Sequence, residues 1–160
     1  VHPDQCHLVL PYPHYRPASL VKLRQARHGN EVLVPLSVHR LFSNALNAGD
    51  IEGLMRLYEP QAALRPAPGQ LAQGTAAIRA ALTGFLGMKP RITVTSRILG
   101  QCDDIALMTG SWTLTGTGAD GKPVQMAGQS AEVARRQADG SWLFVVDAPW
   151  GLERDAAGAA

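Results

Sequence analysis

Hydrophobic spacing changes once along this chain, at Pro90, and that change restricts the fold more than any other feature. Before it, apolar residues recur at helical spacing; after it, they alternate. On the helical side, Val38, Leu41, Phe42, Ala45 and Leu46 form one stripe, with Ser37 the expected N-cap and Gly49 suited to a left-handed residue past the end. Asp50 is expected to cap a second helix carrying Ile51, Leu54, Met55, Leu57 and Tyr58, which Pro60 stops. Gln61 to Arg65 reads as a short strand. Thr75 is the expected cap of a third helix through Ile78, Ala81, Leu82, Phe85 and Leu86, closed by Gly87 and Pro90.

Past Pro90 the period is two. Arg91 to Leu99, Ile105 to Thr117, Val124 to Gln137 and Trp142 to Ala148 read as strands. Ala119-Asp120-Gly121-Lys122 and Ala138-Asp139-Gly140-Ser141 supply hairpin turns between the last three. Gly110, Gly116 and Gly128, inside strand patterns, are expected at bends or bulges. Helices followed by a meander imply an α+β fold, with helices on one face of a strongly curved, mostly antiparallel sheet and a cavity between the layers.

Composition narrows the function classes. A chain of 160 residues with 46% hydrophobic and 18% charged residues suits one domain with a proper core. The net charge is +2 and the basic residues are scattered, which argues against nucleic-acid binding. No apolar run reaches the roughly 20 residues of a membrane span, and no signal-peptide pattern occurs, so a cytoplasmic location is expected. Cys6 and Cys102 read as two free, mostly buried thiols. Residues 1–33 hold Pro3, Pro11, Pro13 and Pro17 with His2, His7, His14 and His28, and read as an extension in which Leu20 to Arg27 suits a short basic helix. The histidine spacing matches no metal site, and no metal or organic cofactor is expected. The domain is placed at residues 34–151, with a frayed tail at 152–160.

Several stretches resemble a known superfamily. Ala45-Leu46-Asn47-Ala48-Gly49-Asp50-Ile51-Glu52-Gly53-Leu54-Met55-Arg56-Leu57-Tyr58-Glu59-Pro60 resembles the opening of ketosteroid isomerases and SnoaL-like proteins, the nuclear-transport-factor-like superfamily. Gln73-Gly74-Thr75-Ala76-Ala77-Ile78 resembles its entry to the third helix, and Arg135-Arg136-Gln137-Ala138-Asp139-Gly140-Ser141-Trp142 its last hairpin. Val146-Asp147-Ala148-Pro149-Trp150-Gly151 is similar to the closing strand of the YybH-like branch. The resemblance implies a cone-shaped α+β barrel with three N-terminal helices, a pocket for a small apolar molecule, and a homodimer formed through the outer sheet face. It also places Phe42 where the isomerase tyrosine would sit, Pro66 where its base would sit, and Glu132 near its protonated aspartate. Two of those three roles are empty, so the usual isomerase mechanism is not expected.

Two carboxylates remain as candidate catalytic residues. Alternation puts Gly128, Ser130, Glu132 and Ala134 on one strand face; if that face lines the cavity, Glu132 is a desolvated general acid or hydrogen-bond donor, and otherwise it is an outward charge paired with an arginine. Asp147 sits in an apolar strand and needs a partner, such as Arg65 or a backbone donor, as a pocket acid or base or as a structural ion pair. Phe42, Tyr58, Arg65, Trp112 and Gln129 are the candidate ligand-binding residues. His39, beside the apolar stripe, is expected at the surface or already satisfied. The lead reading is a small-molecule enzyme or binding protein; if it is an enzyme, the residues leave proton transfer as its chemistry: isomerisation, cyclisation, dehydration or epoxide opening. The alternative is a non-catalytic dimerisation module.

Overall fold

A computed structural model describes residues 34–151 and two short strands ahead of them, β1 (Arg27–His28) and β2 (Glu31–Val32), paired antiparallel. Most of the expected Leu20 to Arg27 helix, Cys6 and the tail lie outside the described residues; Arg27 itself is strand.

The first helix, α1 (Ser37–Ala48), ends at Gly49, whose φ of 72° is left-handed and whose N–H returns to Ala45 and Leu46, as its sequence position implies. Ser37 is not the cap: it is the first helical residue, and its hydroxyl donates to the Val34 carbonyl. Asp50 does cap α2 (Ile51–Met55), accepting from the Gly53 N–H at 2.8 Å. That helix stops sooner than expected. Leu57 lies in the turn that follows, its carbonyl accepting from Phe144 N–H at 2.7 Å, and Tyr58 opens β3 (Tyr58–Leu64). Pro60 thus lies inside a strand rather than ending a helix. It is tolerated because the parallel pairing of β3 with β8 is interrupted between Tyr58 and Ala63, where the missing N–H costs no ladder bond. A short β4 (Ala72–Gln73) leads into α3 (Gly74–Gly87), capped by Gln73 in place of Thr75.

The four expected strands follow, β5 (Arg91–Cys102) running three residues further than expected, β6 (Ile105–Thr117), β7 (Pro123–Arg136) shifted by one residue, and β8 (Trp142–Ala148). In the turns, Asp120 Oδ1 accepts from Lys122 N–H and Asp139 Oδ1 from Ser141 N–H. The sheet order is β4-β3-β8-β7-β6-β5, antiparallel except for β3 against β8. The sheet does not close: β4 and β5 are its edges. It is nevertheless curved. The helix α1 packs against β5 and β8 but makes no comparable contact with β6 and β7, which lie between them, so the middle of the sheet bows away from the helix. Pairing irregularities at Ile98/Gly100 and Val133/Ala134 permit the bend.

Gly110, Gly116 and Gly128 sit in unbroken register, so they are not the bulges. They mark close approaches: a Cβ on Gly128 would stand 2.7 Å from Trp112 Cζ2, and one on Gly116 would stand 2.8 Å from the Met88 carbonyl oxygen. Asn47 joins the layers, its amide accepting from Ile92 N–H at 2.7 Å and donating to Ile92 O at 3.0 Å. Cys102 is exposed, contrary to expectation, because β5 beyond Ser96 runs past the helical cover. Among the described residues, no helix is long and apolar enough to cross a membrane, and no group of three or more His, Cys, Asp or Glu is placed to hold a metal.

Candidate functional site

Between the helices and the concave sheet face lies a cavity of about 80 Å³. Its outer wall is apolar and half-buried, from Phe42, Phe85, Ile92, Val94, Met126 and Trp150. Its inner end is polar: His39, Ser130, Glu132 and Asp147 all reach it and all are buried. This placement follows from periodicity. His39, Phe42 and Leu46, at helical spacing, share the sheet-facing side of α1. Trp112, Ser130, Glu132 and Asp147 take the concave face of their strands, where Glu132 stands opposite Met108 on one side and Asp147 on the other.

Most of these groups are paired. Ser130 Oγ accepts from Gly110 N–H at 3.0 Å and donates to Gly110 O at 3.2 Å. The Tyr58 hydroxyl donates to Asp147 Oδ2 in a short bond. Burial pushes the Asp147 carboxyl up to about 7; the Tyr58 bond opposes that shift, neighbouring Glu132 adds to it and His39 reduces it. Burial, and then the adjacent Asp147, raise the Tyr58 hydroxyl well above its ordinary value, so it stays protonated and donating. His39 Nδ1 lies 2.6 Å from Ser96 Oγ.

Two atoms are left over. His39 Nε2 and Glu132 Oε2 approach to 3.2 Å, close enough for an ion pair but too poorly aligned for a hydrogen bond. Both are fully buried, and neither has another hydrogen-bond partner among the described residues. Buried polar atoms are paired in the great majority of folded proteins, so two such atoms side by side set this end of the cavity apart from the rest of the core.

The structure brings together Glu132, Asp147, Phe42 and Trp112 around the cavity, with Tyr58 behind Asp147. Trp112 is anchored by its Nε1–H to the Pro149 carbonyl at 2.6 Å and meets Trp150 edge-on. The Glu132 reading as an outward charge is excluded by its burial. Two expected ligand-binding residues are elsewhere. Gln129 is exposed on the convex face, one position out of phase with Glu132. Arg65 is half-buried outside the cavity and meets Asp147 through its backbone N–H, at 2.9 Å from the Asp147 carbonyl; the side chain that meets the carboxyl is Tyr58. His39 is the residue that sequence reasoning missed: it is buried and only half satisfied. Its spacing from Phe42 and Leu46 was the available signal.

Searches against known proteins agree with this architecture. No curated protein matches the chain. Among solved structures, a nuclear transport factor 2-like superfamily protein from Salmonella enterica serovar Typhimurium is 15% identical with a TM-score of 0.65, covering 78% of this chain and 92% of that one. A ketosteroid isomerase-like protein from Erwinia carotovora atroseptica is 22% identical with a TM-score of 0.62, covering 74% and 95%. A provisionally assigned scytalone dehydratase from Novosphingobium aromaticivorans is 16% identical with a TM-score of 0.64, covering 74% and 91%. At such identities the likeness is one of fold. The family model described as a SnoaL-like domain matches residues 38–145. That match covers more than half of the chain, which therefore belongs to the SnoaL-like domain family.

Proposed function

We propose that the chain binds a small, largely apolar molecule in the cavity beneath α1 and performs proton-transfer chemistry on its one polar end. The observation that carries this reading is the pair of buried atoms that make no hydrogen bond, His39 Nε2 and Glu132 Oε2, at the polar end of an otherwise apolar chamber. Glu132 and His39 would exchange a proton with the ligand. Asp147, with its carboxyl at about 7, is poised to hold or release a second one. The size of the cavity, below the roughly 300 Å³ of drug-sized sites, favours a compact ligand. Solved neighbours of this fold include a provisionally assigned dehydratase and an isomerase-like protein, which is compatible with isomerisation, dehydration, cyclisation or epoxide opening.

The test is a thermal-shift screen of small ketones, epoxides and polyketide-like fragments. A true ligand at a hundred times its Kd should raise Tm by about 5 °C or more. Glu132→Gln should weaken that shift and, for any substrate found, lower turnover by about 10²- to 10⁴-fold. A ligand whose shift survives in Glu132→Gln and His39→Gln alike would place the site elsewhere.

A second reading rests on the convex sheet face. Leu107, Val133 and Val146 lie side by side across β6, β7 and β8, and Leu107 and Val146 are exposed there. A second copy of the chain would cover this row, with Thr93, Thr95, Thr113 and Thr115 further along the same face. Sedimentation velocity should then show a dimer that Leu107→Lys dissociates; a monomer at every concentration would refute the pairing.

A further inference from the structure

The direction of one hydrogen bond decides what the two orphan atoms offer. His39 sits between Ser96 on β5 and the cavity, with Nδ1 toward the serine and Nε2 toward Glu132. The Nδ1 to Oγ separation is 2.6 Å. Nε2 faces a carboxylate oxygen, a hydrogen-bond acceptor, which favours the ring proton on that nitrogen. Nδ1 is then bare and is the atom to which the Ser96 hydroxyl donates. A neutral imidazole with a bare Nδ1 carries its proton on Nε2, which is the atom beside Glu132.

We infer that Ser96 is a positioning residue that fixes His39 as the Nε2–H tautomer, so that the cavity offers one donor and one acceptor 3.2 Å apart and selects ligands bearing an alcoholic or enolic hydroxyl. The hydroxyl half of this inference rests on the cavity being a ligand site, as proposed above. A single hydroxyl oxygen accepts from Nε2–H through a lone pair and donates its own proton to Glu132 Oε2, which satisfies both orphans at once. A ketone oxygen accepts from Nε2–H but has nothing to give Glu132, and leaves that oxygen buried and unpaired. An ether does the same. A hydrocarbon satisfies neither atom. Of the other polar groups nearby, Ser130 is closed on Gly110 and the Tyr58 hydroxyl is committed to Asp147 Oδ2, so Asp147 is the one further carboxyl at this end of the cavity. Ser96 is absent from the cavity wall, so its influence passes through the imidazole.

The arrangement also divides the labour within the pair. With its proton on Nε2, His39 is the group that stabilises negative charge on a ligand oxygen or hands it a proton. Glu132 is the group that takes one. Reversing the tautomer would present two acceptors to the cavity and leave a hydroxyl able to satisfy only one of them.

The experiment has two arms. In the first, long-range ¹H–¹⁵N correlation of ¹⁵N-histidine-labelled protein at pH 8 reads the tautomer, with His39→Gln identifying the His39 signals among those of the five histidines. Wild type should show a protonated Nε2 and a bare Nδ1. Ser96→Ala should lose that single pattern, and Ser96→Thr, which keeps the hydroxyl, should restore it. A merely structural role for Ser96 would leave the tautomer unchanged in a folded Ser96→Ala variant, and that result, or a wild-type Nδ1–H, overturns the inference while leaving the cavity reading standing. In the second arm, cyclopentanol, cyclopentanone and methylcyclopentane are titrated against wild type and Ser96→Ala. Wild type should prefer the alcohol by about tenfold, and Ser96→Ala should lose most of that preference. Equal affinity for alcohol and ketone in wild type overturns the hydroxyl assignment. Failure of all three probes to bind, beside the expected tautomer, overturns the ligand-site reading and the hydroxyl assignment with it, and confirms the role of Ser96 in orienting His39.

Discussion

Replacing Asp147 with asparagine should make the protein more stable near pH 8, by up to about 4 kcal/mol, and leave it almost unchanged near pH 4. The buried carboxyl titrates at about 7 in the folded chain, against an ordinary value of 3.8. Between those values the folded state keeps a proton that the unfolded state has released. The stability this carboxyl contributes is therefore full below 3.8, declines as pH rises through that window, and is gone above about 7. A difference of about three units, at 1.36 kcal/mol each, gives the stated ceiling. Asparagine is neutral throughout and keeps a carbonyl oxygen for the Tyr58 hydroxyl. Urea titrations of both proteins at the two pH values give the stability gap directly. Carboxylates other than the adjacent Glu132 shift both proteins alike, so the change in the gap isolates Asp147 together with its coupling to Glu132. A gap that is the same at both pH values would mean that the carboxyl is ionised throughout, and that solvent or an arginine reaches it.

That prediction bears on function. A carboxyl that is half protonated at neutral pH gives and takes protons at little cost, whereas one at 3.8 only accepts. The price is borne by the fold, since an ionised Asp147 faces the carboxyl of Glu132 across one strand spacing. Strain of this kind persists where a site needs it, and its relief by Asp147→Asn should come with loss of whatever turnover the cavity supports.

The parts of the fold legible in the sequence are those that local chemistry decides. Gly49 and Asp50 separate α1 from α2 because a left-handed residue and an Asx cap need no tertiary help. The Asp-Gly hairpins hold for the same reason. Legibility fails where the sheet overrides local preference. Tyr58 continues a helical pattern, yet pairing with Phe144 draws it into β3, and a gap in the same ladder accommodates Pro60. The site divides along that line. Alternation alone put Glu132 on one strand face and Gln129 on the other, so the exposure of Gln129 was already implied by the placement of Glu132. His39 was not legible as a site residue. A helix buries a histidine or exposes it according to a rotation of a few tens of degrees, and that rotation is set by how α1 seats in the curved sheet, through contacts with β5 and β8 that lie far away in sequence.

The largest stability loss should come from Phe144→Ala, about 3–5 kcal/mol. The ring is 2% exposed and is the centre of an aromatic cluster, with His39 at 5.7 Å, Tyr58 at 5.2 Å and Phe42 edge-on at 6.1 Å between centroids. Removing it takes away a large buried apolar surface and opens a void continuous with the existing chamber, which the strands of β7 and β8 cannot close without breaking their register. It also frees the two polar side chains that lean on the ring, His39 and Tyr58, so part of the loss should reappear as weaker alignment of the site. Phe144→Leu fills most of the space and should cost far less, about 1 kcal/mol. The enlarged chamber gives an independent check on the geometry. Benzene, which enters engineered apolar cavities, should raise the Tm of Phe144→Ala more than that of wild type, because it rebuilds the missing contact. A loss below about 1 kcal/mol for Phe144→Ala, with no differential response to benzene, would mean that Phe144 does not form the inner wall of the cavity, and the site as described would have to be redrawn.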